Sequence, residues 1–288
     1  MNWTIIIIIV LILGVMAVMA EICRESKGFV TKVYEISIPE AQLKEPHNIV
    51  FVSDLHNHQY GSGNEKLLAA IREQKPDFVL VGGDIPIARE NVSLENAIDF
   101  IQKLSREHQI YYSSGNHEQR MRIYPEKYGS MYEQYMESIQ DGKLVYLHNE
   151  SRSVFLENFP MEIVGLEIEQ EFYKRFSHEK LQKERVVQLL GEKKAVYTIL
   201  LAHNPEYFEA YAAWGADITL SGHVHGGVVR LPFVGGVLSP SVSLFPKYDG
   251  GRKQEFGKEM IISRGLGVHT IPVRLFNPAE LVVLWFHS

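Results

Sequence analysis

Residues 5–20 form an uncharged, almost wholly apolar run, IIIIIVLILGVMAVMA, with no polar face at any helical period. As a helix it reaches about 24 Å, a little short of a hydrocarbon core of about 30 Å. Counted from Trp3 through Cys23, with only Glu21 charged, it is long enough to span, and Trp3 suits the interface. A helix apolar on every side is not the amphipathic helix of a globular core. From about Tyr34 the pattern changes. Short runs rich in Val and Ile at 48–52, 78–81, 110–113, 162–166, 197–201 and 218–220 predict strands, each followed by Gly, Ser, Asp or His. Between them, 65–73, 94–106, 126–139, 179–190 and 205–214 predict helices. In the second, Leu94, Ala97, Ile98, Ile101 and Leu104 fall on one face. Later runs at 228–231, 259–263 and 281–286 predict strands with no long helix between them. Alternating βα units followed by a β-rich end predict an α/β domain with two packed sheets and helices outside.

Composition adds little to that pattern. The chain has 288 residues, 45% hydrophobic and 22% charged, enough for one large domain with a buried core. We assign residues 1–33 to an anchor and short linker and 34–288 to one catalytic domain. A net charge of −6 gives no broad nucleic-acid-binding surface, so attraction for phosphate must come from bound cations or a local pocket. The single Cys23 rules out an internal disulfide. A cleaved signal peptide is the rival reading of the N-terminal run, since Val18-Met-Ala20 suits a cleavage site. The absence of Lys or Arg before the run favours an uncleaved, single-pass anchor in the cell membrane. Arg24, Lys27 and Lys32 follow the run, which by the positive-inside rule keeps the domain cytoplasmic, but three charges do not fix the side. Nothing bears on oligomeric state.

Five short segments carry metal-binding side chains: Asp54-Leu-His56, Gly83-Asp84, Gly115-Asn116-His117-Glu118, His203 and Gly222-His223-Val-His225. Each follows an apolar strand-like run. Loops at the carboxyl ends of strands converge in open α/β sheets, so distant segments can share one cleft. Taken singly most are ordinary: an Asp-x-His pair, a turn with a capping Asp, a turn into a helix. Two imidazoles beside glycines in Gly222-His-Val-His225 have fewer structural uses. Carboxylates, imidazoles and a carboxamide together suit Mn²⁺, Fe or Zn²⁺ rather than Mg²⁺ alone. Two such cations clamp the attacking and leaving oxygens of a phosphoryl group and acidify a shared water.

The five blocks in this order resemble the signature D-x-H, G-D, G-N-H-D/E, H, G-H-x-H of the calcineurin-like metallophosphoesterase superfamily. The stretches SDLHN, GHVHGGVVRLP and SRGLG…PVRLFNPAEL are similar to its membrane-associated bacterial branch. The resemblance implies an α/β fold, a four-layer αββα sandwich of two mixed sheets flanked by helices, here preceded by one N-terminal transmembrane helix. It implies two divalent metal ions, one held by Asp54, His56 and His225, the other by Asn116, His203 and His223, with Asp84 bridging. His117 would be catalytic rather than a ligand, protonating the leaving oxygen or stabilising the transferring phosphoryl. The chain departs from the common G-D-x-x-D/R pattern, running Gly83-Asp84-Ile85-Pro86-Ile87, which removes a group that usually orients a ligand.

The implied activity is hydrolysis of a phosphodiester, phosphomonoester or pyrophosphate in a phosphorylated small-molecule or lipid-linked substrate. A UDP-2,3-diacylglucosamine-type lipid pyrophosphate hydrolase is the specific alternative. A non-catalytic metal-binding interaction scaffold is the alternative of another class, although no ligand position is lost. A single structural metal site fits poorly, with so many ligands and no cysteine among them. Among the remaining residues, His58 and His269 could touch the cleft, and His108, His148 and His178 read as surface histidines. Arg264 and Arg274 read as structural, pairing with Glu280, in preference to gripping phosphate.

Overall fold

The structure is a computed structural model and describes residues 3–140, 142–174, 179–227, 229–231, 235–237, 244–268 and 273–288. Helix α1 (Trp3–Lys27) passes through Gly28 into strand β1 (Phe29–Ser37). A βα alternation follows: β2 (His47–Val52), α2 (Glu65–Glu73), β3 (Phe78–Val81), α3 (Glu95–Glu107) and β4 (Ile110–Tyr112). Three short helices, α4 (Asn116–Ile123), α5 (Pro125–Tyr128) and α6 (Met131–Ile139), lead to β5 (Leu144–Tyr146), β6 (Glu150–Leu156) and β7 (Phe159–Leu166). The second half runs α7 (Lys183–Leu190), β8 (Tyr197–Ala202), α8 (Phe208–Trp214), β9 (Ile218–Ser221) and the short pair β10 (Arg230–Leu231) and β11 (Gly235–Gly236). It closes with β12 (Gly251–Glu255), β13 (Lys258–Ile262) and β14 (Ala279–His287).

Twelve of these strands make two six-stranded mixed sheets, ordered β1-β14-β2-β3-β4-β5 and β12-β13-β9-β8-β7-β6. The apolar runs are continuous because both faces of each central strand are buried, and the period of two sorts them between layers. In β2, Val50 and Val52 face α2 and α3, against Leu67, Ile71, Phe100 and Leu104. Ile49 and Phe51 face the other sheet, meeting a layer that includes Ile163, Ile199, Leu201 and Leu220. On the outer face of the second sheet, Val164 and Leu200 pack under Val186 of α7 and Tyr211 and Trp214 of α8. The architecture is the four-layer αββα sandwich expected.

The central runs land on β2, β3, β4, β7, β8 and β9. Several boundaries differ for local reasons. The helix expected over 126–139 is two, because Gly129 takes φ 57 and ψ −136, which other residues avoid, and its N–H closes α5 onto Pro125 O. The helix expected over 179–190 begins at Lys183, and that over 205–214 opens with a 3-10 turn, Pro205–Tyr207. Of the strand expected over 228–231, residue 228 lies outside the described residues, Val229 makes an isolated bridge to Leu275, and Arg230–Leu231 forms the short strand β10. Strands β1, β5, β6 and β12 carry no strong apolar alternation. β1 is an edge strand with only Tyr34 and Ile36 buried, and it crosses the 33/34 boundary expected for the linker.

Helix α1 is long and apolar enough to cross a membrane, and none of its most apolar window is buried against the domain.

Candidate metal centre

β2, β3 and β4 are mutually parallel, as are β7, β8 and β9, so their carboxyl ends project loops from one edge of the sandwich. Asp54 and His56 follow β2, Asp84 follows β3, and Asn116 and His117 begin α4 after β4. His203 follows β8, and His223 and His225 follow β9. All of these residues are buried except His223, which is half-buried. The convergence inferred from sequence is therefore present.

Ligand atoms of Asp54, His56 and His225 lie within 4.8 Å of one another, as do those of Asp84, His203 and His223. His225 Nε2 stands 3.3 Å from Asp54 Oδ1 and 3.0 Å from His56 Nε2, with the two rings stacked at 4.9 Å. His203 Nε2 stands 3.2 Å from Asp84 Oδ2 and 3.8 Å from Asp54 Oδ1, so it reaches toward both carboxylates. Imidazole nitrogens and carboxylate oxygens thus converge on one space, a donor set suited to a cation.

Backbone geometry makes this convergence possible. Asp54, His56, Asp84, His223 and His225 all have φ between 47 and 69, the left-handed region that side-chain-bearing residues avoid. Such strain clusters at functional sites, where surrounding bonds hold it in place. The loops are tied together by Asp54 N–H to Gly83 O and His56 N–H to Asp84 O, both at 3.0 Å. Gly83, at φ 88, lets the second and third blocks touch: a Cβ there would sit 1.9 Å from Gly115 N. Glu118 bolts the same blocks from beneath. Its carboxylate accepts the N–H groups of Asp84, Ile85 and Gly115 at 2.9–3.0 Å and the Tyr112 hydroxyl at 2.6 Å. Burial first, then the Asp84 charge, pushes Glu118 up to about 7.

The electrostatics call for a cation. Burial is the largest influence on Asp54 and Asp84 and opposes their charge, yet the neighbouring imidazoles hold both below the usual carboxylate range. Burial also opposes a proton on His203, but Asp84 and Asp54, with hydrogen bonds to Asp84 and Gly82 O, push it up to about 10. In this cluster a proton answers the demand that a metal ion would meet. His56 goes the other way, held well below its usual value by burial and then by His117, so it stays a neutral donor.

Individual atoms fit a bound metal. His203 Nδ1–H donates to Gly82 O at 2.7 Å, which turns its buried Nε2 toward the carboxylates, 3.2 Å from Asp84 Oδ2. Fixing one imidazole nitrogen through a carbonyl is how proteins aim the other at a metal. Asn116 Oδ1 is also buried, and it is unbonded. His117 differs. Its Nε2 lies 3.9 Å from Asp84 Oδ2, and it forms a third ligand-sized group with His56 and Asp84. Its Nδ1, however, accepts the Ala88 N–H at 2.8 Å, while Arg120 Nη2 rests 3.0 Å from Nε2. The Ala88 amide and the Arg120 guanidinium are both donors, so each ring nitrogen of His117 faces an N–H of the protein.

The surrounding residues sort themselves plainly. Arg274 is buried and donates to the carbonyls of Arg264, Gly265, Gly267 and Asn277, so it is structural through backbone and not through Glu280. Arg264 does face Glu280, at 3.7 Å. His58 packs edge-on against Tyr60, and His148 stands exposed at 3.5 Å from Glu167. His178 and His269 lie outside the described residues. Ile87, at the position where the signature often has a charged residue, is half-buried. Sequence reasoning gave no role to Glu118, whose carboxylate reaches back three residues to the Gly115 N–H at the start of α4. It also missed Arg120, one turn beyond His117, and Tyr173, whose ring meets His223 at 5.1 Å.

Comparison with known proteins agrees with this geometry. The family model for calcineurin-like phosphoesterases matches residues 47–227, which contain every residue of the cluster. An uncharacterized metallophosphoesterase of Campylobacter jejuni is 26% identical over 95% of this chain and 67% of its own length. YpbG of Bacillus subtilis is 25% identical, covering 92% of this chain and 91% of itself. Phosphodiesterase YaeI of Escherichia coli is 25% identical over 77% of this chain and 76% of its own. The chain belongs to the calcineurin-like phosphoesterase family and is a metallophosphoesterase.

Proposed function

We propose that this chain is a membrane-anchored phosphohydrolase with a dinuclear centre of Mn, Fe or Zn, cleaving a phosphodiester, phosphomonoester or pyrophosphate bond. Asp54, His56 and His225 would hold one ion and Asn116, His203 and His223 the other, with Asp84 shared between them. The bound ions would lower the pKa of a water to make a nucleophile and offset charge developing on the phosphoryl oxygens. The protein supplies the rest. Gly82 O holds His203 Nδ1–H, and Glu118 holds the Asp84 and Asn116 loops in register. His117 turns Nε2 toward the cluster, 3.9 Å from Asp84 Oδ2 and beside Arg120, and would pass a proton to the leaving oxygen. The 25-residue helix α1 would tether the domain to a bilayer, bringing membrane-borne phosphoesters within reach.

The observation that carries this reading is the pair of clusters Asp54–His56–His225 and Asp84–His203–His223, whose ligand atoms lie within 4.8 Å of one another in each. Replacing His117 by Ala tests it. Turnover of bis(p-nitrophenyl) phosphate by metal-loaded protein should fall about 10²–10⁴-fold, with bound metal, measured by atomic emission, unchanged. Unaltered turnover would remove the acid role, and lost metal would make His117 a ligand.

A further inference from the structure

The last turn of α1 is built into the domain. Glu25, only 3% exposed, accepts the Asn277 N–H at 2.9 Å. Asn277 Nδ2 then donates to His225 O at 2.7 Å and to Gly227 O at 2.6 Å. Two residues past the helix, Phe29 meets Tyr60 edge-on at 4.7 Å. One buried asparagine therefore joins the end of an apolar helix to the backbone of the cluster's His225. Topology gives the same result. β1 starts beside Ala279, where β14 starts, and β14 runs antiparallel to β2, so α1 enters the sandwich at the edge where β2 ends in Asp54. A chain that crosses a bilayer through α1 turns its metal edge toward the lipid.

That edge also carries apolar side chains that are exposed among the described residues. Val229 bridges Leu275, Val237 N–H donates to Val229 O at 2.9 Å, and Phe245 N–H donates to Val237 O at 3.0 Å. The ladder lines up Leu231, Leu244, Phe245 and Phe276, which are 45%, 68%, 60% and 49% exposed. Phe276 adjoins Asn277, so the rim is continuous with the end of α1. Phe245 and Phe276 sit at φ 49 and 54, an unfavourable backbone for bulky residues, with no burial in water to offset it. The other exposed phenylalanines, Phe155 and Phe256, lie at the opposite edge, in or beside the β6–β7 and β12–β13 hairpins.

We infer that this rim is a lipid-contacting surface. Leu231, Leu244, Phe245 and Phe276 enter the interface of the leaflet that α1 enters, and the Glu25–Asn277–His225 connection sets the angle. The cleft then opens onto phosphoester headgroups of amphiphiles lying in that leaflet. The inference rests on the proposed reading of the chain as an anchored phosphoesterase.

The test uses the full chain in nanodiscs of phosphatidylethanolamine and phosphatidylglycerol, with Cys23→Ser to free the background. Nitroxides are placed through Ile12→Cys, Phe245→Cys, Phe276→Cys and Phe256→Cys, and their accessibility to oxygen and to a nickel chelate gives depth. Labels at 12, 245 and 276 should be immersed and the label at 256 aqueous. Aqueous labels at 245 and 276 beside an immersed label at 12 would overturn the inference and leave the anchor standing. An aqueous label at 12 would overturn the anchor and the inference with it. In a second arm, Phe245→Ser should leave hydrolysis of soluble bis(p-nitrophenyl) phosphate unchanged. It should slow hydrolysis of a bilayer-embedded phosphoester about tenfold, the factor that burying one phenylalanine supports. Equal effects on the two substrates would overturn the inference.

Discussion

The two edges of the sandwich are built from the same strands and solve opposite problems. At the metal edge, strand ends lead into left-handed Asp and His residues, buried carboxylates face one another, and ligand atoms point at a common centre. At the far edge the connections are ordinary. Phe256-Gly257 makes a hairpin turn whose positive φ values, 57 and 69, are those such a turn requires. Charges there meet partners: Lys258 and Lys193 lie 2.8 and 3.0 Å from Asp217, and His47 lies 3.0 Å from Asp77. One edge is satisfied by its own residues, whereas the other holds strain of about 1–3 kcal/mol per left-handed residue and gathers carboxylates and imidazoles suited to a cation. The sheets between them supply the rigidity that keeps the strained edge in place.

The largest effect should come from putting the same methyl group at each edge. In Gly83→Ala a Cβ would meet backbone 1.9 Å away in a left-handed residue. Overpacking and strain together should cost about 3 kcal/mol or more. In Gly257→Ala the residue is also left-handed, at φ 69, but nothing lies within 4 Å of the new Cβ, so about 1 kcal/mol is expected. Denaturant midpoints of the two variants measure the difference. Equal losses would show that the two blocks can part without cost and that the metal edge is no tighter than a surface turn.

Metal removal separates the edges next. If a cation answers the buried carboxylates, saturating metal at about 100 times its Kd stabilises the fold by about 2.7 kcal/mol. Chelator should lower the thermal midpoint of the unmodified protein and of Gly257→Ala by the same amount. In His203→Ala the chelator-sensitive part should shrink, because the nitrogen aimed at both carboxylates is gone. A midpoint indifferent to chelator in all three would leave the cluster without its cation.

The same contrast explains what could be read from sequence. The metal edge was legible because its chemistry is local: each ligand follows an apolar run directly, so strand and ligand announce each other. The central strands were legible for the same reason, being buried on both faces. The edge strand β1 was not, since solvent on one side leaves Lys32 and Glu35 among its residues. The role of Glu118 was hidden because two of its four partners, Asp84 and Ile85, lie more than thirty residues away in the chain. The Glu25–Asn277 bond spans 252 residues, and no spacing or composition signals it. Contacts between distant polar residues are set by the fold and leave no periodic trace.

The smallest effect belongs to the far edge and is a matter of pH. His47 opens β2 there, with Nδ1 3.0 Å from Asp77 and Nε2 3.4 Å from Glu157 in the β6–β7 turn, so it pins one sheet to the other. Burial opposes its charge, but the two carboxylates prevail and raise it above the usual histidine value. A raised folded value means the stabilisation is complete below the unfolded value of about 6.5 and is lost as pH climbs through the folded value. The amount should be about 1 kcal/mol or less, as for other ion pairs near the surface. His47→Gln should therefore be less stable than the unmodified protein at pH 5.5, with the gap narrowing as pH rises. Urea unfolding at fixed, saturating metal reads this gap, because the histidines of the metal edge then contribute equally to both proteins. A gap that widens with pH would mean that His47 is held as the neutral ring, and that the far edge, like the metal edge, is not satisfied by its own charges.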